Sequence, residues 1–213
     1  LIFKLHDSLR YASSGSAKLS FLLLVIATII AVRLVFIQYA ERICELVYVS
    51  AQERGTGIAK RTPEYISAKM LSGKAVIAIA EDGELAGFSY IETWGHQKFV
   101  ANSGLIVAHK FRQTGLARRI KQKIFDLSRT LYPNAKIFSI TTGLAVMKIN
   151  YDLGFHPVTF SELTDDEEFW KGCSGCRNFD ILQRNDYKMC LCTGLLYDPA
   201  QHSGDPKKQT ENN

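Results

Sequence analysis

Proline and cysteine are both scarce in this chain of 213 residues, which holds only five of each. A collagen-like or proline-rich disordered chain is therefore excluded, and five cysteines are too few for a disulfide scaffold of this length. The charge excess is also small, +5 from 26 basic and 21 acidic residues, and by itself predicts no nucleic-acid partner. With 46% apolar and 22% charged residues, the composition is that of a globular protein.

Long apolar runs are scarce too, and the one that stands out covers the fourteen residues 19–32. A helix that spans a bilayer needs about 20 apolar residues. The run reaches that length only if it extends to residue 37 and includes Arg33. Two interpretations remain open: a membrane anchor through residues 19–37, or a buried strand over 32–37 that follows an extension over 1–31.

The predicted elements form an antiparallel meander followed by a strand–helix–strand crossover, which predicts a mixed α/β domain over residues 32–160. Helices are predicted over 38–52, from Pro63 behind a Thr62 cap, over 115–130 and over 145–153, and strands over 75–80, 85–92, 99–107, 136–141 and 155–160. A cysteine-containing appendage is expected over 161–197, opened by a capping box from Thr164 to Glu167, and a disordered polar tail over 198–213.

Residues 112–117, named the phosphate turn below, lie between a predicted strand and a predicted helix. The amides at a helix N-terminus and the helix dipole favour bound phosphate, and Gly115 would let backbone approach it closely. Residues 104–136 hold eight basic residues and one acidic residue, a local field that suits a polyanion. The alternative is an ordinary strand-to-helix loop beside a solvated basic helix.

The spacing Arg112-x-x-Gly115-x-Ala117 resembles motif A of the GNAT superfamily of N-acetyltransferases. Leu105-Ile106-Val107 before it, and Leu153-Gly154-Phe155 after it, are similar to two further motifs of that family. The resemblance implies a mostly antiparallel central sheet with flanking helices and a V-shaped opening for acetyl-CoA. It also implies cofactor-binding residues: backbone of Leu105, Ile106 and Val107 beside the pantetheine arm, and the phosphate turn, Arg112, Gln113, Thr114, Gly115, Leu116 and Ala117, on the pyrophosphate.

An amine must lose its proton before it attacks a thioester, so a base or a water relay is needed. Glu92, at the end of a predicted strand, is the favoured base, and His96 in the next loop is the alternative base. The other interpretation is that Glu92 is a solvated strand-end carboxylate and His96 a surface histidine. Asn150 stands where many family members have the tyrosine that protonates the departing thiolate, and Tyr151, one residue further along, is turned from it by about 100° on a helix. Asn150 could hydrogen-bond the thiolate sulfur, or water could protonate it. We therefore take Glu92, Asn150 and Tyr151 as the candidate catalytic residues.

The loop between the first two helices holds Arg54, Lys60 and Arg61, which could bind the carboxylates of an acceptor or could be solvated loop charges. The stretches RGTGIAKRTPEYI, TTGLAVMKIN and FWKGCSGC resemble small bacterial GNAT proteins linked to arginine biosynthesis. That resemblance implies transfer of an acetyl group from acetyl-CoA to a small amino acid such as glutamate, with succinyl-CoA as an alternative donor. It favours a cytoplasmic enzyme, a small-molecule amine as partner and no nucleic acid, and leaves a homodimer open.

Four cysteines form two close pairs, Cys173 with Cys176 and Cys190 with Cys192. Two such pairs could complete a tetrahedral structural zinc site, although the second spacing is tighter than usual. Free buried thiols or a redox pair are the alternatives. A second functional hypothesis follows, in which the chain is an acyl-CoA sensor or a zinc-stabilised interaction module without turnover.

Overall fold

The structure is a computed structural model that describes residues 36–54 and 61–202. The predicted extension over 1–31, the whole apolar run over 19–32 and the tail from residue 203 lie outside the described residues. Among the helices that are described, none is both long and apolar enough to cross a membrane.

The described chain combines helices with strands of a single sheet, which confirms the mixed α/β prediction. The helices are α1 Ala40–Arg54, α2 Pro63–Leu71, α3 Leu116–Leu131, α4 Leu144–Asp152, α5 Glu167–Lys171, α6 Phe179–Arg184 and α7 Pro199–His202. The strands are β1 Ala75–Ile79, β2 Leu85–Trp94, β3 Phe99–Val107, β4 Lys136–Thr141, β5 His156–Val158 and β6 Thr193–Tyr197. Single 3-10 turns cover His109–Phe111 and Phe160–Glu162.

The strands form one six-stranded sheet in the order β1-β2-β3-β4-β6-β5. Every neighbouring pair is antiparallel except β3 and β4, which run parallel. A parallel pair needs a crossover connection, and α3 supplies it with a hydrophobic face that packs on β2 and β3. The helix α1 packs on β2 and β3, and α2 packs on α1 and β1; their apolar residues share one core cluster with the sheet.

β3 and β4 separate part-way along their length. They pair only where Phe99, Val100 and Ala101 face Lys136, Ile137 and Phe138. Beyond that point β3 continues to Val107 beside β2, and β4 continues to Thr141 beside β6. The two strands therefore splay apart and leave the predicted V-shaped opening, called the opening below.

Local sequence signals account for several of these elements. Thr62 caps α2, its hydroxyl accepting the amide N–H of Tyr65 at 3.3 Å, and Pro63 is the first helical residue. Gly104 in β3 has φ +64°, and a Cβ added there would lie 2.4 Å from the Tyr90 ring. Glycine is therefore required at residue 104, beside the irregular pairing of β2 and β3.

Two predictions near residue 160 are wrong in detail. The strand predicted over 155–160 shortens to β5, because a 3-10 turn follows it. The predicted capping box from Thr164 to Glu167 does not form, since the Thr164 hydroxyl accepts from the amide of Asp166 and Asp166 itself caps α5. The reciprocal box lies upstream, between Thr159 and Glu162.

The segment predicted as an appendage over 161–197 contributes to the central sheet. β6 lies between β4 and β5, and its residue Leu196 pairs with Phe138 of β4. Trp170 and Leu182 are buried in the same cluster as these two residues. The cysteine segment therefore packs directly against the sheet at the opening.

Candidate active site

The opening holds a cavity of about 420 Å³. One wall is β3 from Ala101 to Leu105, and the other is β4 with the start of α4, from Phe138 to Val146. Residues of the segment 160–192 close a third side, mainly with aromatic rings and thiols. Trp94 at the end of β2 also lines the cavity, and its buried indole N–H has no hydrogen-bond partner among the described residues.

Glu92 lies inside this cavity, only 7% exposed, at the point of β2 that faces Ala101 of β3. The hydroxyl of Tyr65 donates a hydrogen bond to its Oε1. The Nη2 of Arg61 lies 3.6 Å from Oε2, and the Nζ of Lys69 lies 3.8 Å from Oε1. The carboxylate favoured as the base therefore borders the space where an acceptor can sit.

Burial raises the pKa of Glu92 above its ordinary value. The charge of Arg61 and hydrogen bonds donated by Ser103 and Arg61 oppose that rise. A carboxylate with a raised pKa accepts a proton more readily at neutral pH. Burial also lowers the pKa of Lys69 to about 8, with the charges of Lys74 and Arg61 acting in the same direction.

Arg61, Tyr65 and Lys69 lie four residues apart and form what we call the basic stripe. The guanidinium carbon of Arg61 lies 5.0 Å from the centre of the Tyr65 ring, and Lys69 Nζ lies 4.8 Å from it. Both cations therefore contact one ring, and all three side chains reach Glu92. Arg61 also donates from Nε to the Tyr90 hydroxyl at 3.0 Å, which fixes its orientation.

The phosphate turn has the backbone geometry that its sequence predicts. Gly115 has φ +77° and precedes the first residue of α3, and Gln113 also has a positive φ of 65°. A Cβ at Gly115 would meet nothing within 4 Å, so the space in front of the turn is open. The first amides of α3, which include those of Leu116 and Ala117, have no partner within the helix, and this leaves them for an anion.

Arg112 binds protein groups in this structure. Its Nε donates to the carbonyl of Val107 at 3.2 Å, and its Nη2 donates to Ser50 Oγ at 3.3 Å and Glu53 at 3.2 Å. The side chain therefore ties the end of β3 to α1 and holds the turn in place. Arg118 in the first turn of α3 pairs with Asp152 of α4 at 2.6 Å.

The three β3 residues that are predicted to bind the cofactor lie in different surroundings. Leu105 borders the cavity, whereas Ile106 is 1% exposed and packs in the core with Phe88. Val107 is buried too, and its role in the structure is to present its carbonyl to Arg112.

Asn150 and Tyr151 lie in opposite environments although they are adjacent. Asn150 is fully buried, and neither its Oδ1 nor its Nδ2 has a hydrogen-bond partner. It follows Val146 by four residues on α4, so it lies on the same face one turn deeper than that cavity residue. Tyr151 is 71% exposed and does not border the cavity. His96 lies in an exposed turn with φ 54°, also outside the cavity lining.

Of the three predicted acceptor-binding residues, Arg61 borders the cavity. Arg54 is the last residue of α1, with its side chain outside the described part of the chain. Lys60 belongs to residues 55–60, which also lie outside it.

The four clustered cysteines all line the cavity wall. The backbone of Asn178 links the pairs, since its amide donates to Cys176 Sγ at 3.5 Å and its carbonyl accepts from Cys190 at 3.8 Å. Burial, reinforced by the neighbouring cysteines, raises the pKa of Cys173 to about 11 and of Cys192 to about 12. No group of three or more His, Cys, Asp or Glu residues in the described ranges is placed to hold a metal ion, so the predicted zinc site has no structural support.

Tyr65 and Lys69 are the site residues that sequence reasoning missed. Tyr65 and Lys69 are four residues apart on α2, a spacing that puts them on one side of the helix and is visible in the sequence, and Arg61 comes just before the cap residue Thr62. Only the packing of α2 on β2 shows that this side meets Glu92.

Comparison with known proteins agrees with the architecture. No family model and no curated protein matches the chain. Among solved structures, N-acetylglutamate synthase from Neisseria gonorrhoeae complexed with coenzyme A and N-acetyl-glutamate aligns with a TM-score of 0.54 at 17% identity. That alignment covers 74% of this chain and 32% of the other, so this chain spans about a third of that protein.

Two shorter proteins align over most of their own length. A Mycobacterium tuberculosis protein in complex with CoA has a TM-score of 0.55 at 14% identity, over 76% of this chain and 95% of the other. The Salmonella typhimurium protein yncA with acetyl-CoA has a TM-score of 0.52 at 15% identity, over 76% of this chain and 90% of the other. A phosphinothricin acetyltransferase of the GNAT superfamily, from Sinorhizobium meliloti, aligns with a TM-score of 0.51 at 12% identity, over 76% and 84%. The splayed six-stranded sheet described above is therefore the fold of the GNAT acetyltransferases.

Proposed function

We propose that this chain is an acetyl-CoA-dependent N-acetyltransferase that acts on the amine of a small molecule. One observation carries the proposal: β3 leads into the phosphate turn at its end and borders, along its middle, the cavity that holds Glu92. A cofactor with its pyrophosphate on the turn can run along β3, and its thioester can then reach the amine beside Glu92. The fold shared with CoA-bound acetyltransferase structures supports this arrangement.

The reaction that we propose is direct transfer without an acyl-enzyme. The neutral amine attacks the thioester carbon, the carbon–sulfur bond breaks, and CoA leaves as a thiolate. Glu92 accepts the proton that the ammonium form of the amine must lose, and its raised pKa suits that task. The unpartnered side-chain amide of Asn150 is our candidate donor of a hydrogen bond to the thiolate, with water as its proton source. The exposure of Tyr151 gives that residue no support as the acid.

For the acceptor we propose an amino acid, with glutamate as the first to be tried. Arg61 is the one cation among the cavity-lining residues that the structure describes, and its guanidinium, held beside Glu92, offers a planar set of donors to an acceptor carboxylate. Similarity to an N-acetylglutamate synthase at 17% identity supports the fold and leaves the acceptor to experiment. Succinyl-CoA as donor, a homodimer, a cytoplasmic location and a role in amino-acid biosynthesis remain predictions.

A thermal-shift screen that crosses CoA esters with amines tests the proposal. We expect acetyl-CoA to raise the melting temperature, and the true acceptor to raise it further in the presence of CoA. Compounds that pass are then assayed for acetyl-CoA-dependent release of CoA. Binding of acetyl-CoA without turnover over the full amine panel would favour the sensor hypothesis instead.

The predicted zinc is not needed for this chemistry, because the proposed transfer uses a carboxylate and backbone amides. Metal analysis of freshly reduced protein tests the zinc prediction separately from the activity. About one equivalent per chain would support it, and no metal in active protein would remove it.

A further inference from the structure

Tyr65 and Glu92 form a hydrogen-bonded pair inside the cavity, and both side chains border the space open to an acceptor. Tyr65 donates its hydroxyl proton to Glu92 Oε1. A phenolic oxygen that donates one hydrogen bond can accept another. A substrate amine can therefore donate to the oxygen of Tyr65 while Tyr65 donates to Glu92.

The oxygens of Glu92 are already surrounded by donors. Oε1 faces the Tyr65 hydroxyl and Lys69, and Oε2 faces Arg61. An ammonium group that came to the carboxylate directly would have to displace one of these groups. The phenolic oxygen of Tyr65 offers a route to the same carboxylate that displaces none of them.

We infer that Tyr65 is a catalytic residue that relays the proton of the substrate ammonium to Glu92. The inference rests on the acetyl transfer proposed above. In the step, the ammonium N–H bond breaks and its proton binds the phenolic oxygen of Tyr65. The hydroxyl proton of Tyr65 passes at the same time to Oε1 of Glu92. The amine is left neutral, Tyr65 is again a phenol, Glu92 is a carboxylic acid, and total charge is conserved.

The basic stripe suits Tyr65 to this task. Arg61 and Lys69 lie on the Tyr65 ring at 5.0 and 4.8 Å from its centre. Negative charge grows on the phenolic oxygen if its own proton leaves slightly ahead of the incoming one. Two nearby cations stabilise that charge in a partly buried site, where electrostatic interactions are stronger than in water.

A proton inventory tests the relay. The single-turnover rate constant of acetyl transfer is measured in mixtures of H2O and D2O. Two protons in flight predict a curved dependence of the rate on deuterium fraction in the native chain. The variant Tyr65→Phe keeps the ring that Arg61 and Lys69 contact and removes the hydroxyl oxygen. We expect it to lower kcat by about 10²-fold or more and to give a linear inventory.

Tyr48→Phe is the matched control, because Tyr48 is 54% exposed on α1 and outside the cavity lining. We expect this variant to keep the native rate and the curved inventory. A linear inventory in the native chain, or a curved one in Tyr65→Phe, would overturn the relay. These results leave acetyl transfer itself intact, whereas a native chain that releases no CoA with any amine would overturn the proposed function first.

Discussion

Ala101 of β3 and Phe138 of β4 form the last paired position between the two parallel strands. Both residues are buried, at 2% and 0% exposure, and both border the cavity that begins there. The contact therefore sets the depth of the opening, and the ring of Phe138 forms part of its floor. Glu92 faces Ala101 across β2 and β3, so the same position places the candidate base at this end of the opening.

Charge at the phosphate turn should decide cofactor affinity. Gly115 has φ +77°, a conformation that Asn and Asp tolerate better than other side chains. We expect Gly115→Asp to weaken acetyl-CoA binding at least 10-fold more than Gly115→Asn, because only Asp adds a negative charge where we propose that the pyrophosphate binds. Calorimetric titration with acetyl-CoA measures both variants, and equal affinities would show that the turn does not bind the pyrophosphate.

Removal of the candidate base should change the pH profile as well as the rate. We expect Glu92→Gln to lower kcat by about 10²- to 10³-fold, the usual contribution of a general base. Because burial raises the pKa of Glu92, activity of the native chain should rise with pH through a pKa above the ordinary glutamate value. That acidic limb should be absent in Glu92→Gln. Glu84→Gln, at a carboxylate paired with Lys110 near the surface, is the control and should keep the limb.

Gly104 should be intolerant of any side chain. A Cβ would lie 2.4 Å from the ring of Tyr90, and φ +64° adds backbone strain. We expect Gly104→Ala to lower the free energy of unfolding by about 2 kcal/mol or more, as overpacking of a well-packed site does. A Cβ added at Gly175 would meet nothing within 4 Å, so Gly175→Ala should change the free energy of unfolding little. Urea unfolding measures both, and equal midpoints would contradict the close approach at Gly104.

Lys121 should destabilise the protein at neutral pH. It is 1% exposed on α3, its Nζ lies 5.2 Å from the centre of the Phe155 ring, and burial lowers its pKa from 10.5 to about 7. The unfolded chain binds this proton below pH 10.5 and the folded chain only below about 7, so stability falls as pH drops through that interval.

We therefore expect Lys121→Met to raise the melting temperature at pH 7, with a gain that shrinks as the pH approaches 10.5. Lys123→Met, at an exposed lysine of the same helix, should show no such pH-dependent gain. Thermal unfolding at several pH values measures both variants. If Lys121→Met raises the melting temperature by the same amount at every pH, packing alone would explain the gain, and the pKa argument would be wrong.

Local signals in the sequence predict much of the fold. The bounds of β3 and β4 match the predicted 99–107 and 136–141, because both strands are short apolar runs between clear breaks. The caps at Thr62 and the glycine geometry at Gly115 also follow from local chemistry. The position of β6 inside the sheet could not be predicted this way, since it depends on pairing between Leu196 and Phe138, which are far apart in sequence.

The candidate site shows the same division. Glu92 and the phosphate turn are visible as a strand-end carboxylate and a strand-turn-helix motif. The contacts of Tyr65 and Lys69 with Glu92 depend on how α2 packs on β2, which no local pattern specifies. Arg112 is a further example, because its spacing suggests a phosphate ligand while its partners Ser50 and Glu53 are on α1.

We propose above that acetyl transfer to an amine takes place in the opening between β3 and β4. The most direct measurement incubates the native chain with acetyl-CoA and each amine of the panel, and quantifies free CoA and the acetylated amine by mass spectrometry. We expect one acetylated amine to form for each CoA released, and we expect Glu92→Gln to suppress both products together. Tight binding of acetyl-CoA with no acetylated product from any amine would contradict the claim.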